Sequence, residues 1–475
     1  MEVGLPVRLT RSGAPPDIAI VHLGPGAFFR AFNAIYTEDA GDWGILAVSL
    51  RSPTVRDQLA PQGGVYTSLT LSEAGNESRI IGSIADVIVA PEAPEKVLAA
   101  MANPAVKVVS LTVTEKGYCH EPSTGSLNFD HGDIQHDLRN LNAPKSAVGF
   151  IVAALEQRRR AGAKAFTVLS CDNLPSNGDL VRGIVLQFAA KVCSDLSDWI
   201  AKNTSFPATM VDRITPATTE ADVAALEKAE GYYDPGCVVH ESFRQWVIED
   251  DFVDGRPAWD KVGAQMVASV EKHELMKLRC LNGTHSTLAY LGYLAGYDTI
   301  AECVRDPAFA ALCEKLWREE ITPVLAEPEG EDLERYCEKL MARYRDAAIR
   351  HRTWQIAMDG SQKLPQRILG TIRDNLERGV VPRGLCLAVA GWMRYVGGVD
   401  ENGTPIDVRD PLSAQLQQIS REAQDKVNAL LALEEVFGLS LPKNERFCAT
   451  VSEAYDQLVS SGARATVKGW LSPVR

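Results

Sequence analysis

None of the ten cysteines stands in a CxxC pair. Such scatter suits neither a disulfide framework nor a zinc site, and it fits a reducing cytoplasm. No run of about 20 apolar residues exists, so no membrane span is expected. The opening stretch MEVGLPVRLTRSG lacks the apolar centre of a secretory leader. Positive charge is scarce: 49 Lys and Arg stand against 62 Asp and Glu, a formal net charge of −13. That balance argues against nucleic acid or an anionic membrane as partner. It still allows a small anionic ligand in a locally basic pocket. A second histidine is missing where a zinc protease helix needs one: four residues after His240 stands Arg244, and four after His273 stands Lys277. No metal is expected.

What is present is ordinary globular composition, 45% hydrophobic and 23% charged over 475 residues, enough for two or three domains. The first half alternates short apolar runs with helical ones. DIAIVHLG (17–24), WGILAVSL (43–50), VKVVSLTVT (106–114) and AKAFTVLSC (163–171) read as strands, AFFRAFNAIYTEDA (27–40) as a helix, and TSFPATMVDRITPAT (204–218) adds a strand-like segment. Strands alternating with helices imply a parallel sheet. After about residue 270 nearly every segment has a helical period, broken by polar turns such as PEGED and DENGTP. The expectation is an α/β chain: a Rossmann-like, mostly parallel domain at 1–270 and a mostly α-helical domain at 271–475.

The first strand runs into HLGPGAFFR, so Gly24 and Gly26 fall at a strand-to-helix turn, followed by Ala27 and Phe28. There a dinucleotide pyrophosphate can rest on unbonded N–H groups at a helix start. The third glycine of GxGxxG is replaced by Phe29, so the pair also reads as a plain turn. The second strand ends at Arg51 rather than at an acid. An acid there favours NAD, whereas an Arg accommodates the 2′-phosphate of NADP. Arg51 reads equally well as a solvated loop charge.

A second polar cluster interrupts an apolar helical stretch, HELMKLRCLNGTHSTLAY (273–290). On an α-helix Asn282 lies about 140° and His285 about 80° round from Lys277, within roughly 12 Å along the axis. A Lys desolvated there can serve as a general base, an Asn amide can stabilise an alkoxide, and a His can orient a hydroxyl. A solvated Lys, a capping Asn and a packed His fit the same spacing. Gly283 in mid-helix costs about 1 kcal/mol against Ala, which suggests that something approaches its backbone closely.

KLRCLNGTHS resembles the K-x4-N-x2-H signature of the polyol-specific long-chain dehydrogenase/reductase family, also called the mannitol dehydrogenase family. IVHLGPGAFFRA, VSLTVTEKGYC, FTVLSCDNLPSNG, MVDRITPAT and HRTWQIAMDGSQKLPQR agree with it in the same order. The resemblance implies metal-independent hydride transfer between NAD(H) and a secondary alcohol or carbonyl. It implies Lys277 as general acid/base, Asn173 and Asn282 as an oxyanion hole, His285 as a substrate-orienting group and Glu274 as a proton relay. Asp212 would be an active-site acid, and Lys363 falls where mannitol-type members carry a substrate-contacting Arg. Gly24, Gly26, Ala27, Phe28, Arg51 and Thr114 would hold the cofactor, NAD, with NADP as the alternative because of Arg51.

TEKGYC, QWVIED and QIAMDGSQKLPQR look most like the fructuronate reductase branch, whose substrate is a keto sugar acid. A carboxylate needs a cation, and Lys116, Arg352, Lys363 and Arg367 are the candidates. The alternative is a neutral ketose and polyol pair. A small-molecule substrate, a monomer or homodimer and a cytoplasmic location complete the expectation.

Overall fold

The computed structural model describes residues 7–73 and 75–470; the first six residues of the opening stretch lie outside the described residues. In chain order the strands are β1 (Ile18–Leu23), β2 (Gly44–Ser49), β3 (Tyr66–Leu71), β4 (Glu77–Ile81), β5 (Ile84–Val89), β6 (Val108–Leu111), β7 (Thr167–Ser170), β8 (Thr209–Asp212), β9 (Val238–Glu241), β10 (Gln245–Glu249) and β11 (Gln265–Val267). The central sheet has the order β5-β2-β1-β6-β7, and every pairing in it is parallel.

Both faces of this sheet are covered, which is why its strands read as near-continuous apolar runs. Successive residues alternate between two cores. Val21, Leu46, Val109 and Val168 face one of them, built with helices that include Ala147–Arg160 and Asn177–Val192. Ile20, Ile45, Val108 and Leu169 face the other, which holds Phe29, Phe32, Trp246 and Trp259.

Two smaller sheets, β4-β3-β9 and β11-β10-β8, complete this part of the chain. Each contains one antiparallel pairing, β3 with β4 and β8 with β10. Six strands, β3, β4, β5, β9, β10 and β11, lie outside the segments that the sequence pattern marks as strands. In β4 the reason is plain: Glu77, Arg79 and Ile80 are exposed, so it lacks an apolar run. The helix expected over 27–40 is two helices, Ala27–Ala31 and Asn33–Ala40, because Phe32 leaves helical geometry at φ −133° and ψ −80°. Its ring packs among Phe28, Tyr36 and Trp246 at 5.1–5.7 Å between centroids.

The chain divides into two compact units, the first ending at Glu271 and the second beginning at Lys272. The second is helical. Its centre is Arg383–Tyr395, buried nearly all round and packed against Thr284–Leu294 and Glu445–Trp470. Three of its segments, Lys277–Gly283, Leu316–Ile321 and Pro365–Leu369, are π-helical. Among the described residues no helix is long and apolar enough to cross a membrane.

Candidate active site

In the first unit, β1 lies between β2 and β6, so the connections leave its carboxyl end in opposite directions. In open α/β sheets ligands bind at such a switch point. Gly24 sits there with φ +90°, and an added Cβ would lie 2.4 Å from the Thr112 carbonyl oxygen; no other residue fits. Gly26 differs: a Cβ there would meet nothing within 4 Å. It begins the helix Ala27–Ala31 without any side-chain cap. Uncapped N–H groups of Ala27 and Phe28 beside open space fit a diphosphate.

Phe29, in place of the third glycine, stacks on His22 with ring centroids 3.5 Å apart. No motif or spacing in the sequence singles out His22. Its Nδ1 is 2.8 Å from Ser110 Oγ, and its Nε2 is 2.9 Å from Thr112 Oγ1. Burial pushes its pKa down to about 3, so a neutral ring ties β1 to the end of β6.

Thr114 has φ +65°. Asp172 holds that turn: its carboxylate accepts from Val113 N at 2.9 Å, Thr114 N at 3.0 Å and the Tyr118 hydroxyl at 2.6 Å. Burial raises its pKa, and those three bonds oppose the rise. The only sequence signal for it was its place in SCDN, beside Asn173. Asn173 follows it and is exposed. Gly24, Gly26, Ala27, Phe28, Thr114 and Asn173 thus gather around one end of the sheet. Arg51, after β2, is exposed and ion-paired with Asp133 in the first turn of Gly132–Arg139. This acid is absent from the expectation of Arg51 as either a solvated charge or a phosphate contact. Asp212 is buried at the end of β8, opposite Gln245 of β10. Lys116 is exposed on the short helix Thr114–Gly117.

One trio of metal-type donors occurs among the described residues: Cys119, His131 and Asp133 have ligand atoms within 4.8 Å of one another. No CxxC spacing announced it. Each group already has other business. Asp133 pairs with Arg51, the ring of His131 accepts the Asp133 N–H as a helix cap, and burial pushes the Cys119 thiol up to about 11.

In the second unit the structure corrects the geometry expected of 273–290. This stretch is an α-helix to Met276, a π-helix over Lys277–Gly283 and an α-helix from Thr284. Side-chain donors engage the carbonyls of the π turn. The Cys280 carbonyl accepts from Trp317 Nε1 at 2.9 Å and Thr284 Oγ1 at 2.6 Å, and the Leu281 carbonyl accepts from the Tyr344 hydroxyl at 3.0 Å. At Leu281 the side-chain donor adds to a backbone one, the Thr284 N–H. With i→i+5 bonding, Asn282 comes one turn after Lys277, nearer the same face than 140° would allow. The close approach expected at Gly283 is the Arg367 carbonyl, 2.8 Å from where a Cβ would be.

Lys277 is buried, Glu274 and Asn282 are half-buried, and Glu274 precedes Lys277 by one α turn. His285 is buried, stacks on Tyr344 at 4.7 Å and lies edge-on to His351 at 5.4 Å. Its Nε2 has no hydrogen-bond partner among the described residues. Burial, then the nearby charges of His351, Arg343 and Arg367, hold its pKa well below the usual value; the ring is neutral. Lys363 Nζ donates to the Met358 carbonyl at 2.5 Å. Arg367 donates to Ser286 Oγ at 3.2 Å. Arg352 is exposed at the start of Thr353–Ala357 and joins neither group through its side chain.

Residues 18–261 match the mannitol dehydrogenase Rossmann domain, and residues 269–459 match the mannitol dehydrogenase C-terminal domain. The chain is 50% identical over 460 residues to D-mannonate oxidoreductase of Escherichia coli K12, covering 94% of each. It is 39% identical over 459 residues to mannitol 2-dehydrogenase of Phaeosphaeria nodorum, covering 94% of this chain and 80% of that one. Among solved structures, Pseudomonas fluorescens mannitol 2-dehydrogenase, in a ternary complex with NAD and D-mannitol, is similar with a TM-score of 0.85 and 40% identity, covering 98% of this chain and 97% of that one. Two domain matches in order and relatives aligned along nearly their whole length place the chain in the mannitol dehydrogenase family.

Proposed function

We propose that this chain is a metal-independent, NAD(H)-dependent oxidoreductase that interconverts a keto sugar acid and its hydroxy acid, D-fructuronate and D-mannonate. The likeness to D-mannonate oxidoreductase along nearly the whole of both chains carries this reading. The unit ending at Glu271 serves as the dinucleotide-binding domain and the unit from Lys272 as the substrate and catalytic domain. The uncapped helix start and the open space at Gly26 support the first assignment. Asp133, brought beside Arg51, favours NAD, because its negative charge repels a 2′-phosphate.

Bound NADH supplies the hydride. Lys277 Nζ gives a proton to the carbonyl oxygen as it becomes an alkoxide, and accepts one in the oxidative direction. Asn282, one π turn on, donates a hydrogen bond to the developing alkoxide. Neutral His285 presents its unpartnered Nε2 to a substrate hydroxyl. Glu274 passes the proton of Lys277 towards solvent. Asn173 and Asp212 keep the roles the resemblance implies, an oxyanion donor and an active-site acid.

A neutral ketose and polyol pair is the second reading, favoured by the likeness to the two mannitol 2-dehydrogenases. One set of initial rates decides between them, crossing NADH and NADPH with fructuronate, tagaturonate, fructose and xylulose. Turnover of fructuronate with fructose inert supports the sugar-acid reading; the reverse moves the chain to the polyol branch.

A further inference from the structure

Several buried or half-buried arginines in this chain meet carbonyls or a carboxylate. Arg158 donates to the carbonyls of Met101, Asn103, Lys164 and Val106. Arg213 donates to those of Ala31, Glu241 and Phe243, and Arg279 pairs with Asp374. Arg30 donates to the Gly236 carbonyl, and its Nε and that of Arg279 find no acceptor among the described residues; Arg367 differs from both in lying beside the helix that carries His285. It is half-buried, and desolvation lowers its pKa. Its guanidinium has five N–H donors, and only one hydroxyl, Ser286 Oγ, receives from it. No carboxylate pairs with it among the described residues; the phenols of Tyr290 and Tyr344 near it are kept neutral by burial.

Its surroundings add positive charge. Lys363 is close enough for the two cations to disfavour each other, and His285 feels Arg367 as well. Of the two acids that act on Lys363, Asp359 and Asp410, the second is already engaged by Ser361 and by Leu412 N. Lys363 itself donates to main-chain carbonyls. Arg367 is also held in place. Its carbonyl lies against Gly283 in the π-helix of Lys277 and Asn282, and its guanidinium rests on the residue after His285. A desolvated planar fork with unmet donors is suited to a carboxylate, which it can grip with two parallel bonds.

We propose that Arg367, braced by Ser286, is the anion subsite that takes the carboxylate of a small hydroxy or keto acid and so sets the preference for sugar acids over neutral ketoses. This rests on the sugar-acid reading above. The test uses the full-length enzyme with NADH and the variants R367Q and R367K, with melting temperatures as a folding control. R367Q should raise KM for fructuronate by about a hundredfold, while kcat/KM for fructose changes less than about threefold. R367K keeps the charge but loses the fork, so its KM for fructuronate should rise by about tenfold. If R367Q does not fold, R367K alone decides, by whether fructuronate suffers more than fructose. Equal losses on both substrates would make Arg367 a strut and overturn the proposal, as would an unchanged KM for fructuronate. If the wild type turns over only fructose, the sugar-acid reading fails by itself. Gluconate then probes the subsite: competitive inhibition lost in R367Q supports it, and inhibition absent in the wild type or equal in both overturns it.

Discussion

At the scale of single residues, the two glycines of the first turn separate a folding demand from a binding demand. At Gly24 the backbone is left-handed and a Cβ would strike the Thr112 carbonyl. Gly24→Ala should cost about 2 kcal/mol or more and show as a lowered melting temperature. At Gly26 the backbone is ordinary and the space is open. Gly26→Ala should melt with the wild type but bind NADH at least about tenfold more weakly, a loss of about 1.4 kcal/mol; unchanged affinity in a fluorescence titration would refute the phosphate role of this turn. Lys363 makes a pH prediction. Desolvation first, and Arg367 second, push its pKa down to about 8 from 10.5. Between those values the unfolded chain binds more protons, so this group makes the protein more stable as pH rises from about 8 to 10.5. The melting temperature of the wild type should therefore gain on that of K363M across this window.

At the scale of elements, the π-helices matter most. Lys277–Gly283 is clamped from outside by Trp317, Tyr344 and the Arg367 carbonyl. Gly283→Ala forces the two π segments apart, at a cost of about 1–3 kcal/mol. Because Lys277 and Asn282 ride on that segment, kcat should fall more than KM rises in steady-state assays. The π-helix Leu316–Ile321 carries Glu320, whose carboxylate accepts from Gly384 N at 2.7 Å and Leu385 N at 2.8 Å. It caps the central helix Arg383–Tyr395. Burial outweighs those two bonds and raises its pKa from 4.5 to about 7. The folded state then holds the proton more tightly, so this stabilisation is complete below about pH 4.5 and is lost as pH rises through about 7. It amounts to something on the order of 3 kcal/mol. Melting curves of E320Q should lack that fall; a parallel pH profile in both proteins would contradict the assignment.

At the scale of the whole molecule, the two units have separate cores. The proposed dinucleotide turn belongs to the first and Lys277 to the second. K277A should therefore lose nearly all turnover while keeping the stabilisation by NADH, about 2.7 kcal/mol at a hundred times its Kd. Loss of that thermal shift in K277A would count against the division of labour.

The local pattern of residues was enough to show alternating strands and helices, the glycine turn and the change to helical periodicity near 270, because period and turn chemistry are written in neighbouring residues. It was enough, through a resemblance, to nominate Lys277, Asn282 and His285. It could not show why Phe29 replaces a glycine, since the answer is the buried ring of His22. It could not show the π-helix either, whose carbonyl partners Trp317 and Tyr344 stand 37 and 63 residues further along the chain. Asp133 beside Arg51, Asp172 beneath Thr114 and the unmet donors of Arg367 likewise depend on which distant groups arrive. Sequence by itself determined most strands of the central sheet, the helical second half and the candidate chemistry. Tertiary structure alone decided the partners, because hydrogen bonds and desolvation belong to groups meeting in space.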